Sequence, residues 1–510
     1  MSSTLLHIAF RVDASSQIGT GHFMRCLTLA DALNQRGAII RFISRHMPEH
    51  LRAMAEEKGY QFMLLDSPPD ENIGDKLAHS LWLGTSQETD AQESVQVLSD
   101  RTWDWLVVDH YALDQRWELI LRQTVKHTLV IDDIADRQHD CDILLDQNFY
   151  ADMESRYSGK VPEHCRLLLG PRYALLRYEF RQLHKQVKPR SGPVKRIFVF
   201  FGGVDIDNYT GRAIDALVAL DMNGLHLDVV IGAQHPYREQ IQAACVEHRF
   251  TCYVQTDRMA ELMAAADLAI GAGGSATWER CCLGLPTYAL CLADNQARQL
   301  ADSASEGLLY APDINSEFHN SFQRHVCALI ENSALRRLIS NNAMHAVDGR
   351  GILRVIRAVG FSGIEARFAT EEDSAKLFQW RNDLTVRAVS RNSEVIRWND
   401  HQQWFAGVLS SPFKVLLIGY HLDVPVGVVR FDIKDDTAEV SIYLVPGTDG
   451  VGQGRDLLES AERFLKTYKP EIRKLIACVL GSNERSHHLF KGADYQIEST
   501  TYLKRLCADD

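Results

Sequence analysis

No apolar run in the 510-residue chain reaches the ~18 residues that a membrane-crossing helix needs. Cysteine pairs are missing too. The 11 cysteines are scattered and odd in number, none stands in a C-x-x-C pair, and only Cys281 and Cys282 adjoin. This argues against a disulfide framework and for free thiols in a reducing cytosol. The stretch Leu5-Leu6-His7-Ile8-Ala9-Phe10 is too short for a secretory leader and runs into Arg11 and Asp13. Positive charge is short as well: 55 Lys plus Arg stand against 67 Asp plus Glu, a formal net charge of −12. A dedicated nucleic-acid binder needs a basic face and is excluded on that ground. A small anion is not excluded, because a few backbone amides and one or two cations can hold it locally. The expectation is a soluble cytoplasmic protein with no membrane and no nucleic-acid partner.

What is present is ordinary globular composition, 45% hydrophobic and 24% charged, which rules out a disordered chain or a coiled-coil rod. At roughly 150 residues per domain the length suggests about three domains. Residues 5–12 read as a buried strand, followed by a glycine loop and by helical spacing over 23–36 that stops at Gly37. Apolar runs ending in an acid, at 105–109 and 128–132, suit buried parallel strands. A polar break at 186–193 carries Lys188-Pro189-Arg190-Ser191-Gly192-Pro193, a linker composition. The β/α pattern then restarts, with strands expected at 195–201, 227–231 and 266–270. From 364 the character changes to short strands in series, a glycine-rich turn and a helix over 456–468, which suits a separate α+β domain. The expected domains are 1–187, 194–358 and 361–510, the first two facing each other across a cleft.

Three loops carry candidate chemistry. Gly19-Thr20-Gly21-His22 lies between a strand and a helix, where small residues let a substrate approach and helix amides favour an anion. A histidine there can act as a base near neutral pH. Gly271-Ala272-Gly273-Gly274-Ser275-Ala276-Thr277-Trp278-Glu279 also follows a strand and opens a helix, so its amides can cradle a diphosphate. Gly202-Gly203-Val204-Asp205 is a further cleft loop by the same logic. Gly450-Val451-Gly452-Gln453-Gly454-Arg455 follows a strand meander rather than a βαβ unit, which argues against a dinucleotide fold but allows pyrophosphate binding. A metal reading of the acid-rich stretch Asp132-Asp133, Asp136, His139, Asp140 and Asp142 is weighed and set aside, because charge-rich loops are usually solvated.

Taken with Arg11-Val12-Asp13-Ala14-Ser15, Arg25-Cys26-Leu27, Val108-Asp109-His110-Tyr111, Leu145-Asp146-Gln147-Asn148 and Gly170-Pro171-Arg172-Tyr173-Ala174-Leu175-Leu176-Arg177, the first loop makes residues ~5–355 resemble the UDP-2,4-diacetamido-2,4,6-trideoxy-β-L-altropyranose hydrolases of pseudaminic acid biosynthesis. The resemblance implies two Rossmann-like domains in a GT-B arrangement. It makes His22 the base that activates water and Tyr111 an active-site partner, with inverting C1–O cleavage and no metal. It assigns substrate contacts to Asp13, Gly19, Gly21, Arg25, Gly202, Gly203 and Gly273. It further implies phosphate binding by Gly274 and Ser275, ribose binding by Glu279, and sugar or diphosphate binding by Asn295 and Gln296.

Residues ~364–506 resemble GNAT N-acetyltransferases. The glycine loop, Asn483-Glu484-Arg485-Ser486, Trp380-Arg381-Asn382-Asp383, Val386-Arg387 and His401 with Trp404-Phe405 carry the likeness to sugar-amine acetyltransferases. That resemblance implies acetyl-CoA as co-substrate, held by Val445, Gly450, Val451, Gly452, Gln453, Gly454, Arg455 and Asn483. Two departures stand out: Asp449 opens the loop where Gln or Arg is usual, and Phe490 replaces the customary acid tyrosine. Tyr443, Glu439, His487 and Tyr502 are the substitutes, Tyr443 foremost. The joint implication is a bifunctional enzyme that acetylates the 4-amino group of a UDP-4-amino-4,6-dideoxy-N-acetyl-β-L-altrosamine and hydrolyses the product. A GT-B glycosyltransferase, and a hydrolase carrying a silent GNAT-like binding module, are the alternatives.

Overall fold

A computed structural model describes residues 6–15, 17–65, 75–220, 224–312, 318–361, 363–448 and 453–498, the side chains of residues 294, 295, 318 and 319 excepted. The chain divides into two compact units that meet at residues 358 and 359. The first contains two parallel sheets. One runs through β1 (His7–Val12), β2 (Ile39–Ser44), β3 (Gln61–Leu64), β4 (Trp103–Asp109), β5 (Val125–Ile131), β6 (Ile143–Asp146) and β7 (Arg166–Leu169), in the order β3-β2-β1-β4-β5-β6-β7. The other has β8 (Arg196–Phe200), β9 (His226–Ile231), β10 (Thr251–Val254), β11 (Leu268–Ala272) and β12 (Thr287–Leu290), in the order β10-β9-β8-β11-β12. Strand order therefore reverses between β1 and β4 and again between β8 and β11, and the ends of such strands are where ligands collect in open α/β sheets. These two Rossmann-like sheets and the α+β sheet that follows agree with the fold class expected from the sequence.

The apolar runs explain the sheets. Five of the six residues of β1 and all five of β11 are buried, as strands covered on both faces must be. Helix Gly21–Asn34 turns Phe23, Cys26, Leu27, Leu29, Ala30 and Leu33 inward at helical spacing. It starts two residues earlier than its periodicity suggests, so His22 lies in its first turn. The restart of the pattern after residue 193 is a second sheet with its own core, from Ile197 and Val199 to Leu329 and Ile339. Helices Phe318–Glu331, Ser333–Ala346 and Gly351–Ala358 were not anticipated. The polar break at 186–193 is fastened down: Arg190 donates to the carbonyls of Leu283 (2.7 Å) and Ala264 (2.8 Å), and its amide bonds Ser340 Oγ at 3.0 Å.

The two sheets are joined by direct contacts. Trp278 Nε1 donates to Asn148 Oδ1 at 2.8 Å, and Arg354 donates to the Arg172 carbonyl at 2.7 Å. Gly351 lies so close to the Tyr173–Ala174 backbone that a Cβ there would sit 2.2 Å from the Ala174 carbonyl oxygen.

The second unit holds one sheet of β13 (Ile364–Phe368), β14 (Lys414–His421), β15 (Val424–Lys434), β16 (Thr437–Leu444) and β17 (Lys474–Ala477) in sequence order. The first four strands are antiparallel and β17 joins β16 in parallel. That last pairing stops at Val440–Ala477, so β16 runs on for four residues without β17 beside it. Helix Gln453–Tyr468 packs Leu457, Leu458, Ala461 and Leu465 on the sheet. Gly419 and Gly427 make room for Leu457, whose methyls would lie 2.2 and 2.3 Å from a Cβ at either position. Helix Trp398–Ser410 is a further element that the sequence reading missed.

Gly351→Ala should destabilise the first unit by about 1–3 kcal/mol, the range for overpacking a close contact. Urea denaturation of the two proteins measures it.

Candidate functional site

Residues Val12 and Asp109 are register partners on β1 and β4. The His22 loop and the acid that ends β4 therefore meet where the strand order reverses. His22 Nδ1 lies 2.6 Å from Asp109 Oδ1. A carboxylate only accepts, so Nδ1 carries the proton of this bond, and in the neutral ring Nε2 is the nitrogen left to accept. Arg25, three residues on and on the same helical face, donates to Asp109 from Nε at 2.6 Å and from Nη2 at 2.7 Å, and from Nη1 to Asp133 at 3.0 Å. Burial works against ionisation of Asp109, but Arg25 and then His22 outweigh it and hold the carboxyl well below the usual range. The His22 side chain keeps 11% of its surface open while Asp109 has none, so the imidazole is the exposed end of a buried charge network.

Tyr111 stands edge-on to His22, ring centroids 4.7 Å apart. Its hydroxyl donates to Asp133 Oδ1, so a bond from Tyr111 to a ligand is one its oxygen accepts. Burial, followed by the charge of Asp133, raises its pKa and keeps the phenol neutral. His79 and Trp82 pack around the Tyr111 ring at 5.3 and 5.7 Å. Neither was singled out in the sequence, where no motif surrounds them. Asp13 does not face the cleft. It is fully buried and accepts from Arg11 (2.6 Å), Ser44 Oγ (2.9 Å) and the Arg45 amide (2.7 Å). These bonds make it a strut behind the loop.

The second glycine loop comes to the same place. A Cβ on Gly21 would lie 3.7 Å from Ser275 Oγ, which brings Gly19, Gly21 and His22 opposite Gly273, Gly274 and Ser275. Gly271 and Ala272 are still in β11, so the turn is shorter than its glycines suggest. Gly274 has φ of 103°, a conformation that favours glycine. Gln296 lies over the turn, its Oε1 3.1 Å from a Cβ built on Gly273. The side chain of Asn295 lies outside the described residues. Glu279 is on helix Ala276–Cys282, 3.7 Å from Arg177, and burial raises its pKa against the pull of Arg177 and Arg280. Gly202 and Gly203 follow the end of β8 with open space where a side chain would be. Asp205 beside them is spent on the amides of Tyr209 and Thr210.

The acid-rich stretch is paired internally. Asp132 meets Arg137 at 3.0 Å, Asp140 and Asp142 share Arg122 at 2.7 and 2.8 Å, and His139 meets Glu118 at 2.7 Å. Among the described residues no group of three or more His, Cys, Asp or Glu is placed to hold a metal.

In the second unit Gly450, Val451, Gly452, Asp449 and Tyr502 lie outside the described residues. Gln453, Gly454 and Arg455 form the first turn of the long helix. Arg455 is exposed and pairs with Glu459 at 2.7 Å. Val445 does not offer its backbone: its N–H donates to Val426 at 2.9 Å, and its carbonyl accepts from the Thr448 amide and hydroxyl at 3.1 and 2.5 Å. Asn483 caps helix Glu484–Gly492 through the Ser486 amide at 3.1 Å. Tyr443 packs with Trp380 and Tyr420 against the cluster of Leu377, Phe405 and Val428. Burial raises its pKa despite Arg381 and Arg430 nearby, so it is a neutral phenol. Phe490 is buried against Tyr495, ring centroids 5.0 Å apart.

Comparison with known proteins agrees with this division. Residues 375–495 match the acetyltransferase (GNAT) family. An uncharacterised protein of Methanocaldococcus jannaschii is 22% identical over 96% of this chain and 97% of its own length. The UDP-2,4-diacetamido-2,4,6-trideoxy-beta-L-altropyranose hydrolase of Campylobacter jejuni is 24% identical over 59% of this chain and 97% of its own length. Among solved structures, MurG of Acinetobacter baumannii covers 69% of this chain and 99% of its own, with 15% identity and a TM-score of 0.48. The chain thus resembles a hydrolase of that kind in its first unit and carries a GNAT domain in its second.

Asp109→Asn should destabilise the first unit by about 3–5 kcal/mol, because it leaves Arg25 short of a buried partner. A depressed carboxyl pKa contributes stability above the unfolded value near 4 and loses it as pH falls below. The Asp109→Asn protein should therefore have the flatter acid limb when urea midpoints are compared from pH 7 down to pH 3.

Proposed function

We propose that the chain is a bifunctional sugar-nucleotide enzyme. Its GNAT domain transfers acetyl from acetyl-CoA to the 4-amino group of UDP-4-amino-4,6-dideoxy-N-acetyl-β-L-altrosamine. Its first unit hydrolyses the resulting UDP-2,4-diacetamido-2,4,6-trideoxy-β-L-altropyranose to UDP and free sugar. The observation that carries the reading is the pairing of His22 with Asp109 beside Gly21, across from Ser275. The likeness to the Campylobacter jejuni hydrolase and the GNAT match support it.

In this reading the diphosphate rests on the turn at Gly273, Gly274 and Ser275, with Gln296 above it, and Glu279 takes the ribose hydroxyls. His22 Nε2 accepts a proton from water as the water oxygen attacks C1. The C1–O bond breaks with inversion and its electron pair leaves on UDP. Asp109 stays ionised and stabilises the imidazolium that forms. The negative charge beside the ring keeps Nδ1 protonated, so the base is presented in one tautomer. In the second unit the free amine attacks the acetyl carbonyl, the C–S bond breaks with its electron pair leaving on coenzyme A as the thiolate, and the proton released by the amine replaces the one that Tyr443 gives up. Tyr443, a neutral phenol, is the proton donor to that thiolate, in place of the tyrosine absent at Phe490.

Incubation of the aminosugar nucleotide with acetyl-CoA should yield free coenzyme A, UDP and the diacetamido sugar without any acceptor sugar. UDP release that depended on an added acceptor would instead support a glycosyltransferase. His22→Ala should slow UDP release by about 10²–10⁴-fold, the range for losing a general base, and leave acetylation intact. Coupled assays of UDP and thiol release measure both.

A further inference from the structure

In a chain of net charge −12, Arg381 and Arg387 of the second unit make no close ion pair with a carboxylate among the described residues, although Asp383, four residues before Arg387, feels its charge. Arg381 and Arg387 stand on consecutive helices, Ser374–Asn382 and Leu384–Ala388. Arg381 Nη2 donates to the Asn392 carbonyl at 3.0 Å. Its Nη1 and the Nε of Arg387 are buried atoms with no hydrogen-bond partner among the described residues. Burial lowers the pKa of Arg381; the phenol of Tyr443 opposes this, while Arg430 and Arg387 add like-charge repulsion. Arg430 has a carboxylate, Asp432 at 2.8 Å, and its guanidinium carbon is 5.9 Å from the centroid of the half-exposed Trp404 ring.

The surrounding loop is held in place. Asn382 bonds both backbone groups of Ile396, at 2.8 and 2.9 Å. Arg391 reaches Glu439 on β16 at 2.7 Å, near where β17 stops pairing with β16. Buried donors without acceptors, with positive charges crowded together, are costly unless an anion completes them. Guanidinium forks match phosphate oxygens, and an exposed indole offers a stacking face to a base.

We propose that Arg381 and Arg387, with Arg430 and Trp404 alongside, form a binding subsite for the diphosphate of a nucleotide-sugar acceptor. The proposal rests on the acetyltransferase reading above for the identity of the acceptor, and gives that acceptor a diphosphate anchor in the second unit separate from the one at Gly273–Ser275. Coenzyme A carries a pyrophosphate of the same chemistry. The acceptor is favoured because the arginines come from the helices that precede the sheet, whereas the loop expected to hold coenzyme A follows β16.

The test uses the full chain. Phenylglyoxal modifies accessible guanidiniums, and peptide mass spectrometry reports Arg381 and Arg387 separately from every other arginine. Saturating UDP should slow modification of both several-fold, and saturating coenzyme A should not. Protection by coenzyme A alone, or by neither ligand, overturns the proposal. In a His22→Ala background, Arg381→Gln and Arg387→Gln should each raise KM for the aminosugar nucleotide roughly 10- to 100-fold, the scale of a lost charge-assisted bond. KM for acetyl-CoA and kcat should stay within about threefold, and Arg381→Lys should recover part of the loss. A rise in KM for acetyl-CoA instead would place the arginines on the donor and overturn it. Protection by UDP without any acetyl transfer would leave the subsite standing and reject the acetyltransferase reading.

Discussion

The carboxylate of Asp109 is the constraint on which the first unit's site depends. One oxygen takes the Nδ1 proton of His22 and both oxygens take Arg25. Neither side chain has a comparable alternative on its own helix. An ionised carboxylate without solvent is costly, so the network exists only because Arg25 neutralises it and is itself completed by Asp133. Asp133 in turn fixes Tyr111. A single acid at the end of β4 therefore sets the tautomer of the histidine, the position of the arginine and, through one more carboxylate, the donor direction of the tyrosine. The strand pairing of β1 with β4 brings these groups together, which is why chemistry gathers where strand order reverses.

This also explains what could be read from the chain beforehand. The strand, glycine loop and helix around His22 are local, and their periodicity is set by short stretches that show in the sequence. Asp109 was visible as the acid ending an apolar run and Asp133 as part of the Asp132-Asp133 stretch, but their partners were not, because Asp109 and His22 are 87 residues apart and only the sheet order joins them. Asp13 looked like a ligand contact for the same reason in reverse: it stands next to the loop in sequence, yet Arg11 and the end of β2 enclose it. Val445 and Asn483 lie at the expected positions, but their backbone or side-chain polar atoms are consumed by turn and cap geometry that no spacing reveals. Helix Trp398–Ser410 escaped notice because its aromatic residues, Trp398, Trp404 and Phe405, do not spell an alternation or a cap.

Charge is distributed in a way that the net value hides. Most acids of the first unit are paired with arginines inside the structure, as Asp132 is with Arg137 and Asp140 and Asp142 are with Arg122. Acidic composition is then no measure of the field at a binding site. A diphosphate approaching Gly273 and Gly274 meets loop amides, a glutamate whose ionisation burial resists, and the fully buried Arg280, lowered by burial to a pKa of about 10 and donating to the Ala272 carbonyl behind the turn.

The second unit reaches the same end by a different route. Its sheet puts Tyr443 on β16, and a helix ahead of the strands β14 to β16 brings Arg381 near it. In the proposed subsite an anion would meet buried donors that the protein has left incomplete. Under the proposed function a nucleotide sugar supplies the anion at each site, and the −12 of the whole chain opposes it only weakly, at distances beyond about 8–10 Å where salt screens the rest.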